Sequence, residues 1–118
     1  MFNEFSVGID CIEIDRFESK ELCNGSFLKK IFTQKEIDYC LSKPLSSQHF
    51  AVRFAAKEAV KKCLKEKSKD LSFSSIEITN EHQVPEVTIH NNAIFPKIKI
   101  SLSHSDNFAI AVAITNEI

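Results

Sequence analysis

The alternation of apolar and polar positions divides this chain into a strand, a helical stretch and a run of further strands. Over residues 5–14, Val7, Ile9, Cys11, Ile12 and Ile14 are apolar or β-prone, which predicts a strand. Its alternation breaks at Cys11-Ile12, the pattern of a strand covered on both faces. Asp15 then reads as the N-cap of a short polar helix reaching about Cys23, and Asn24-Gly25-Ser26 as a turn. Phe27, Leu28, Ile31 and Phe32 recur at helical spacing. Thr33-Gln34-Lys35-Glu36 forms a capping box, in which the Thr33 hydroxyl and the Glu36 carboxylate each accept from the other residue's N–H. The helix it opens carries Ile37, Tyr39, Cys40 and Leu41 and stops before Pro44, because Lys43 is pushed out of the α region. A longer helix is predicted from about Ser47 to Lys65, with Phe50, Phe54, Ala55, Ala59 and Cys63 at three- and four-residue steps. Arg53, Lys57, Lys61 and Lys65 recur on another of its faces, a basic stripe of the kind that faces solvent.

After a charged loop at 65–70 the pattern turns to β. Strands are expected over 71–79, 84–90, 98–102 and 108–115, with an irregular stretch at 91–96 and a tight turn at 105–107. The last strand is nearly all apolar and belongs at the centre of its sheet. The fold class is α+β: a largely antiparallel sheet packed with helices, one of them long and central, in a single domain over 1–118.

Composition narrows the function. A formal net charge of −1 gives no overall nucleic-acid signature, so electrostatic recognition must come from a local patch. No apolar run approaches the ~20 residues needed to span a bilayer, and the N-terminal segment lacks the pattern of a signal peptide. The four cysteines have no C-x-x-C spacing, which argues against structural zinc and for reduced, mostly buried thiols in a cytoplasmic protein. Ten phenylalanines and no tryptophan supply the bulk of the core.

Two carboxylates stand in apolar surroundings, Asp10 in the first strand and Glu58 among the alanines of the long helix. Such groups are costly unless something positive compensates them. A shared hard cation such as magnesium would do so, taking one or two carboxylates and leaving its remaining positions to water and substrate phosphates. Each residue also has an ordinary reading. Glu58 and Lys62 are i,i+4 neighbours that can form an exposed ion pair. Asp10 can cap a turn, and His104 can tie a hairpin, although Ser101, Ser103 and Ser105 around it could equally line a polar site.

Taken together, three segments resemble the bacterial holo-[acyl-carrier-protein] synthases, small 4′-phosphopantetheinyl transferases. They are Gly8-Ile9-Asp10 with Glu13 and Arg16, Arg53-Phe54-Ala55-Ala56-Lys57-Glu58-Ala59 with Lys62, and Ser101-Leu102-Ser103-His104-Ser105. Phe32-Thr33 with Glu36, Leu71-Ser72-Phe73, Ile76-Glu77-Ile78 and Pro85 extend the likeness over nearly the whole length. The resemblance implies transfer of 4′-phosphopantetheine from coenzyme A to a serine of an apo acyl carrier protein, releasing adenosine 3′,5′-bisphosphate, in fatty acid biosynthesis. It implies magnesium held by Asp10 and Glu58, and Lys62 acting on the leaving oxygen; the base that activates the serine stays open among Glu58, Asp10 and a metal-bound water. It also implies coenzyme A contacts from Arg53, Lys62 and His104, carrier docking at Arg16 and Lys20, with Lys29 and Lys30 able to add to that patch, and a homotrimer with sites between subunits. One stretch departs from the family pattern. Where the family has a glycine-rich loop, residues 63–70 contain no glycine and three lysines, Lys65, Lys67 and Lys69, which makes positive-φ turns expensive. Two other readings compete: a non-catalytic module that holds an acidic protein on the basic helix, and a different metal-dependent phosphoryl enzyme.

Overall fold

A computed structural model describes residues 4–18, 25–80 and 83–116. Strand β1 (Phe5–Glu13) runs into a single 3-10 turn at Ile14–Phe17, followed by helices α1 (Gly25–Ile31), α2 (Gln34–Leu41) and α3 (Ser46–Leu64). A second 3-10 turn, Lys65–Ser68, leads to strands β2 (Ile76–Thr79), β3 (Glu86–Ile89), β4 (Ile98–His104) and β5 (Phe108–Asn116). The strands form two antiparallel sheets rather than one, β1-β5-β4 and β2-β3. The final strand is central in the larger sheet, as its apolar run implies.

Helix α3 lies across the larger sheet, and small residues set the distance. Ala109, Ala111 and Ala113 of β5 and Ala51, Ala55 and Ala59 of α3 are all fully buried, so backbone can approach backbone. Gly8 of β1 makes the closest approach: a Cβ built there would sit 2.0 Å from the Ala59 carbonyl oxygen and 2.7 Å from the Cys63 nitrogen. One strand residue pair away, the Ser6 hydroxyl donates to the Cys63 carbonyl at 2.6 Å, and the Cys63 thiol donates to the Ser6 carbonyl at 3.3 Å. The other side of α3 packs into an aromatic cluster in which the Phe17, Phe32, Phe50 and Phe54 rings meet at centroid distances of 5.1–6.3 Å.

Several local expectations need correction. The N-cap of the first turn is Glu13, not Asp15, and the turn closes at Phe17; the rest of the expected helix falls on residues 19–24, outside the described residues. Phe73–Ser75 is a 3-10 turn, so β2 begins only at Ile76. β1 is covered on one face, not two: its residues alternate buried and exposed without a break, because Cys11 faces out and Ile12 in. Thiol burial holds for Cys40 and Cys63, while Cys11 is exposed and Cys23 lies outside the described residues. Burial pushes the Cys40 thiol up to about 12, which makes it an inert core group.

The supposed solvent-facing basic stripe is the largest revision. Arg53 is 3% exposed and Lys57 is completely buried. Lys57 Nζ donates to Glu36 Oε1 at 2.7 Å, to the Phe73 carbonyl at 2.9 Å and to the Ile76 carbonyl. Glu36, itself 1% exposed, also accepts from the Thr33 N–H at 2.9 Å and the Ile78 N–H at 2.8 Å. The capping box expected at α2 is therefore formed. Its carboxylate also serves as the counter-ion of a buried lysine and as an acceptor for β2. Burial, with a smaller push from the Arg53 charge, lowers the Lys57 pKa, and the Glu36 carboxylate opposes that shift. Every arm of this network is satisfied, so it ties α2, α3 and the smaller sheet into one register.

Candidate active site

The Gly8 contact fixes which part of α3 the first strand can reach. Residues Ser6, Gly8 and Ile12 face inward, and Asp10 shares that face, half-buried, one strand pair past the Gly8–Ala59 contact. Lys62 meets it from the helix: its Nζ donates to Asp10 Oδ1 at 3.2 Å and to the Ile9 carbonyl at 2.9 Å. The Lys62 side chain is 54% exposed and that of Asp10 20%, so the pair opens to solvent on the lysine side. Glu58 stands one helical turn before Lys62 on the same stripe of α3. The ordinary Glu58–Lys62 ion pair is not formed; Lys62 turns to the strand instead, leaving the Glu58 carboxylate without a hydrogen bond or ion pair to any described residue. Asp10 and Lys62 thus meet at one seam between β1 and α3, with Glu58 one turn back along the helix.

Does this donor set fit a metal? Among the described residues no group of three His, Cys, Asp or Glu converges, so a complete protein cage is ruled out there. Two hard carboxylates, one of them unpaired, suit magnesium, which binds few protein ligands and completes its shell with water and phosphate oxygens.

Arg53 and His104 gather elsewhere. Arg53 precedes Lys62 by nine residues, about 14 Å along the helix axis. Its guanidinium lies over the Tyr39 ring at 4.3 Å, and Nη1 donates to the His49 carbonyl at 3.4 Å. Arg53 Nε is buried with no acceptor. The Lys43 ammonium also lies over Tyr39, at 4.9 Å, and the His49 ring meets the Tyr39 edge with centroids 5.8 Å apart. His104 ends β4 opposite the start of α3, where the Gln48 amide donates to His104 Nε2 at 2.8 Å. His104 Nδ1 faces the Ser105 carbonyl at 3.4 Å, which fits a ring carrying its proton on Nδ1. So His104 ties β4 to α3, while the hairpin turn is held by Ser105, whose hydroxyl accepts from the Asn107 and Phe108 N–H groups. Sequence reasoning missed Lys43, His49 and Tyr39; a tyrosine four residues before a lysine, with His49 and Arg53 one turn apart, was the available signal.

Arg16 is exposed in the 3-10 turn, its guanidinium 6.0 Å from the centre of the Phe54 ring. Lys20 lies outside the described residues. Where family loops use glycine, Lys65 caps α3 at φ 56 and ψ −127, and its N–H donates to the Lys61 carbonyl. The positive-φ residue that the glycine-free segment made costly is present, on a lysine.

Residues 6–113 match the model of the 4′-phosphopantetheinyl transferase superfamily. Among curated relatives, the holo-[acyl-carrier-protein] synthase of Clostridium perfringens is 39% identical, over 92% of this chain and 90% of the relative. That of Chloroherpeton thalassium is 43% identical, over 92% and 94%. Two solved structures have the same fold. The Helicobacter pylori enzyme in complex with coenzyme A is 33% identical with a TM-score of 0.77, covering 91% of this chain and 96% of that one. The Bacillus anthracis enzyme in complex with coenzyme A (3′,5′-ADP) is 30% identical with a TM-score of 0.77, covering 96% of each. With an α+β architecture shared from end to end and the family model spanning nearly all of its length, this chain belongs to the 4′-phosphopantetheinyl transferase superfamily.

Proposed function

We propose that this chain is a holo-[acyl-carrier-protein] synthase: it transfers the 4′-phosphopantetheine group of coenzyme A to a serine of an apo acyl carrier protein and releases adenosine 3′,5′-bisphosphate. The observation that carries this reading is Asp10 seated against the Glu58–Lys62 turn of α3 in a chain of this family.

Phosphoryl transfer asks a protein mainly for positioning and for charge at the places where negative charge develops. Asp10 and Glu58 are the residues that would hold magnesium, which when bound would polarise the pyrophosphate oxygens. Lys62 is anchored by the Ile9 carbonyl and the Asp10 carboxylate, so its ammonium is held at the mouth of the site, where it neutralises or protonates the leaving oxygen. The unpaired Glu58 carboxylate is also free to take the proton of the attacking serine. Arg53, about two and a half helical turns from Lys62, and His104 supply the second contact with coenzyme A. Arg16, together with Lys20, gives the acidic carrier a basic docking patch, and the exposed Lys29 and Lys30 at the end of α1 extend it.

The outer face of the larger sheet supports a homotrimer. Phe5, Val7 and Ile9 of β1 and Phe108, Ile110 and Ile114 of β5 are 37–58% exposed and contiguous across the β1–β5 pairing. An apolar face of this kind marks a protein interface, and sites between subunits would place carrier and coenzyme A on neighbouring copies. No helix among the described residues is long and apolar enough to cross a membrane, consistent with a cytoplasmic enzyme of fatty acid biosynthesis. The test is the mass of an apo acyl carrier protein after incubation with this protein, coenzyme A and magnesium. One phosphopantetheine added per carrier is expected. A carrier that binds but gains no mass at any magnesium concentration would leave only a binding module.

A further inference from the structure

Around Tyr39 three side chains able to carry positive charge, Lys43, His49 and Arg53, are gathered from α3 and the loop before it, and His104 approaches from β4. Among the described residues no carboxylate pairs with any of the four. Arg53 is held rigidly by burial, yet its Nε lacks an acceptor. Cations collected on one aromatic ring with no counter-ion are costly as they stand and are relieved by an anion. Coenzyme A carries two anionic groups, a pyrophosphate and a phosphate monoester, and the Asp10–Lys62 seam accounts for the first. The second cluster, displaced along the same helix, is left for the monoester.

His49 differs from its neighbours because it can lose its charge near neutral pH. It is faced by Tyr39 from α2, Lys43 from the loop before α3, Arg53 from α3 and His104 from β4. Burial first, and then the charges of Arg53, Lys43 and His104, lower its pKa below the ordinary histidine value and so favour the neutral ring in the free protein. A dianion set among those cations reverses the local field and favours the imidazolium.

Resting on the coenzyme A reading above, we propose that His49 is a phosphate-binding residue that takes up a proton as the coenzyme's phosphate monoester docks beside Lys43, Arg53 and His104. The proton comes from solvent; no bond to phosphorus changes. Binding of that phosphate then weakens as pH rises, against the trend set by ionisation of the phosphate itself, whose second pKa is about 6.

The experiment is calorimetric titration of the intact protein at pH 7.0 with coenzyme A and with dephospho-coenzyme A, each in two buffers of different ionisation enthalpy. Uptake of a substantial fraction of a proton is expected with coenzyme A and none with dephospho-coenzyme A. His49→Gln, checked for its fold by circular dichroism, should abolish the uptake and weaken coenzyme A several-fold while leaving dephospho-coenzyme A affinity unaltered. Equal uptake with both ligands would overturn the assignment, as would uptake that persists in His49→Gln. Failure of both ligands to bind would instead overturn the coenzyme A reading, and the dephospho-coenzyme A arm separates the two failures. Should His49→Gln not fold, the contrast between the two ligands on the unaltered protein still decides.

Discussion

Replacing Gly8 with alanine adds one methyl group, and its cost follows from two distances. The new carbon would stand 2.0 Å from the Ala59 carbonyl oxygen and 2.7 Å from the Cys63 nitrogen. Both are backbone atoms in the C-terminal part of α3, so no side chain can rotate away. Ordinary carbon–oxygen contact begins above 3 Å, so β1 and α3 must separate by roughly 1 Å or the local helix must distort, and overpacking of this kind costs ~1–3 kcal/mol, occasionally more. Backbone on both sides places Gly8→Ala at the upper end, about 3 kcal/mol, or roughly 10–15 °C in melting temperature for a chain of this size. The same displacement lifts Asp10 from Lys62, since the two meet only one strand pair further on. A misplacement near 1 Å can lower turnover by ~100-fold. Urea denaturation followed by circular dichroism gives the stability, and carrier modification at a temperature where the variant is still folded gives the activity. A Gly8→Ala protein that melts within a degree or two of the parent and retains its turnover would show that the β1–α3 seam is not the rigid element described.

Three further outcomes follow from other parts of the fold. Lys57→Met strands the buried Glu36 carboxylate and should cost about 3–5 kcal/mol, whereas Lys57→Met with Glu36→Gln should cost clearly less than the two single changes summed; strict additivity in a double-mutant cycle by urea denaturation would contradict the pairing. Lys65→Gly removes strain of ~1–3 kcal/mol at a positive φ but loosens the unfolded chain by about 0.4–1 kcal/mol, so a net gain near 1 kcal/mol is expected, and a loss of stability would mean the backbone there is unstrained. His49 has a folded pKa below its unfolded value, so the unfolded chain binds more protons between the two; stability therefore falls as pH drops from 6.5 through that window. His49→Gln should flatten this part of the stability–pH curve measured by thermal melts, and an unchanged curve would assign the acid sensitivity to another group.

Much of this architecture is written locally. The Thr33–Glu36 box starts α2 where its chemistry says it should, the three- and four-residue apolar steps from Phe50 to Cys63 mark α3, and the unbroken apolar run of β5 places it between two other strands. What the sequence hides depends on partners distant along the chain. Lys57 shares its periodicity with the half-buried Lys61 and the exposed Lys65, and only the fold shows that Glu36, 21 residues earlier, waits for it. The role of Gly8 is a close approach to a helix fifty residues away, which no local pattern records. β1 reads as covered on both faces because apolar residues line both; one set packs on α3 and the other forms the exposed face of the sheet. At the site, Asp10, Glu58 and Lys62 were recognisable as residue types, but Lys62 pairing across to β1 rather than along its own helix required the structure. The second cluster escaped notice because Tyr39, the ring that organises it, is uncharged.

The decisive comparison is the rate at which Asp10→Asn and Glu58→Gln load phosphopantetheine onto an apo carrier, with coenzyme A and magnesium saturating and the carrier weighed by mass spectrometry. Both substitutions preserve shape and remove one negative charge, so both proteins should fold, and each should modify the carrier at least 100-fold more slowly than the parent. If either folded variant works at the parental rate, the two carboxylates do not share the metal and the reaction is carried by other residues.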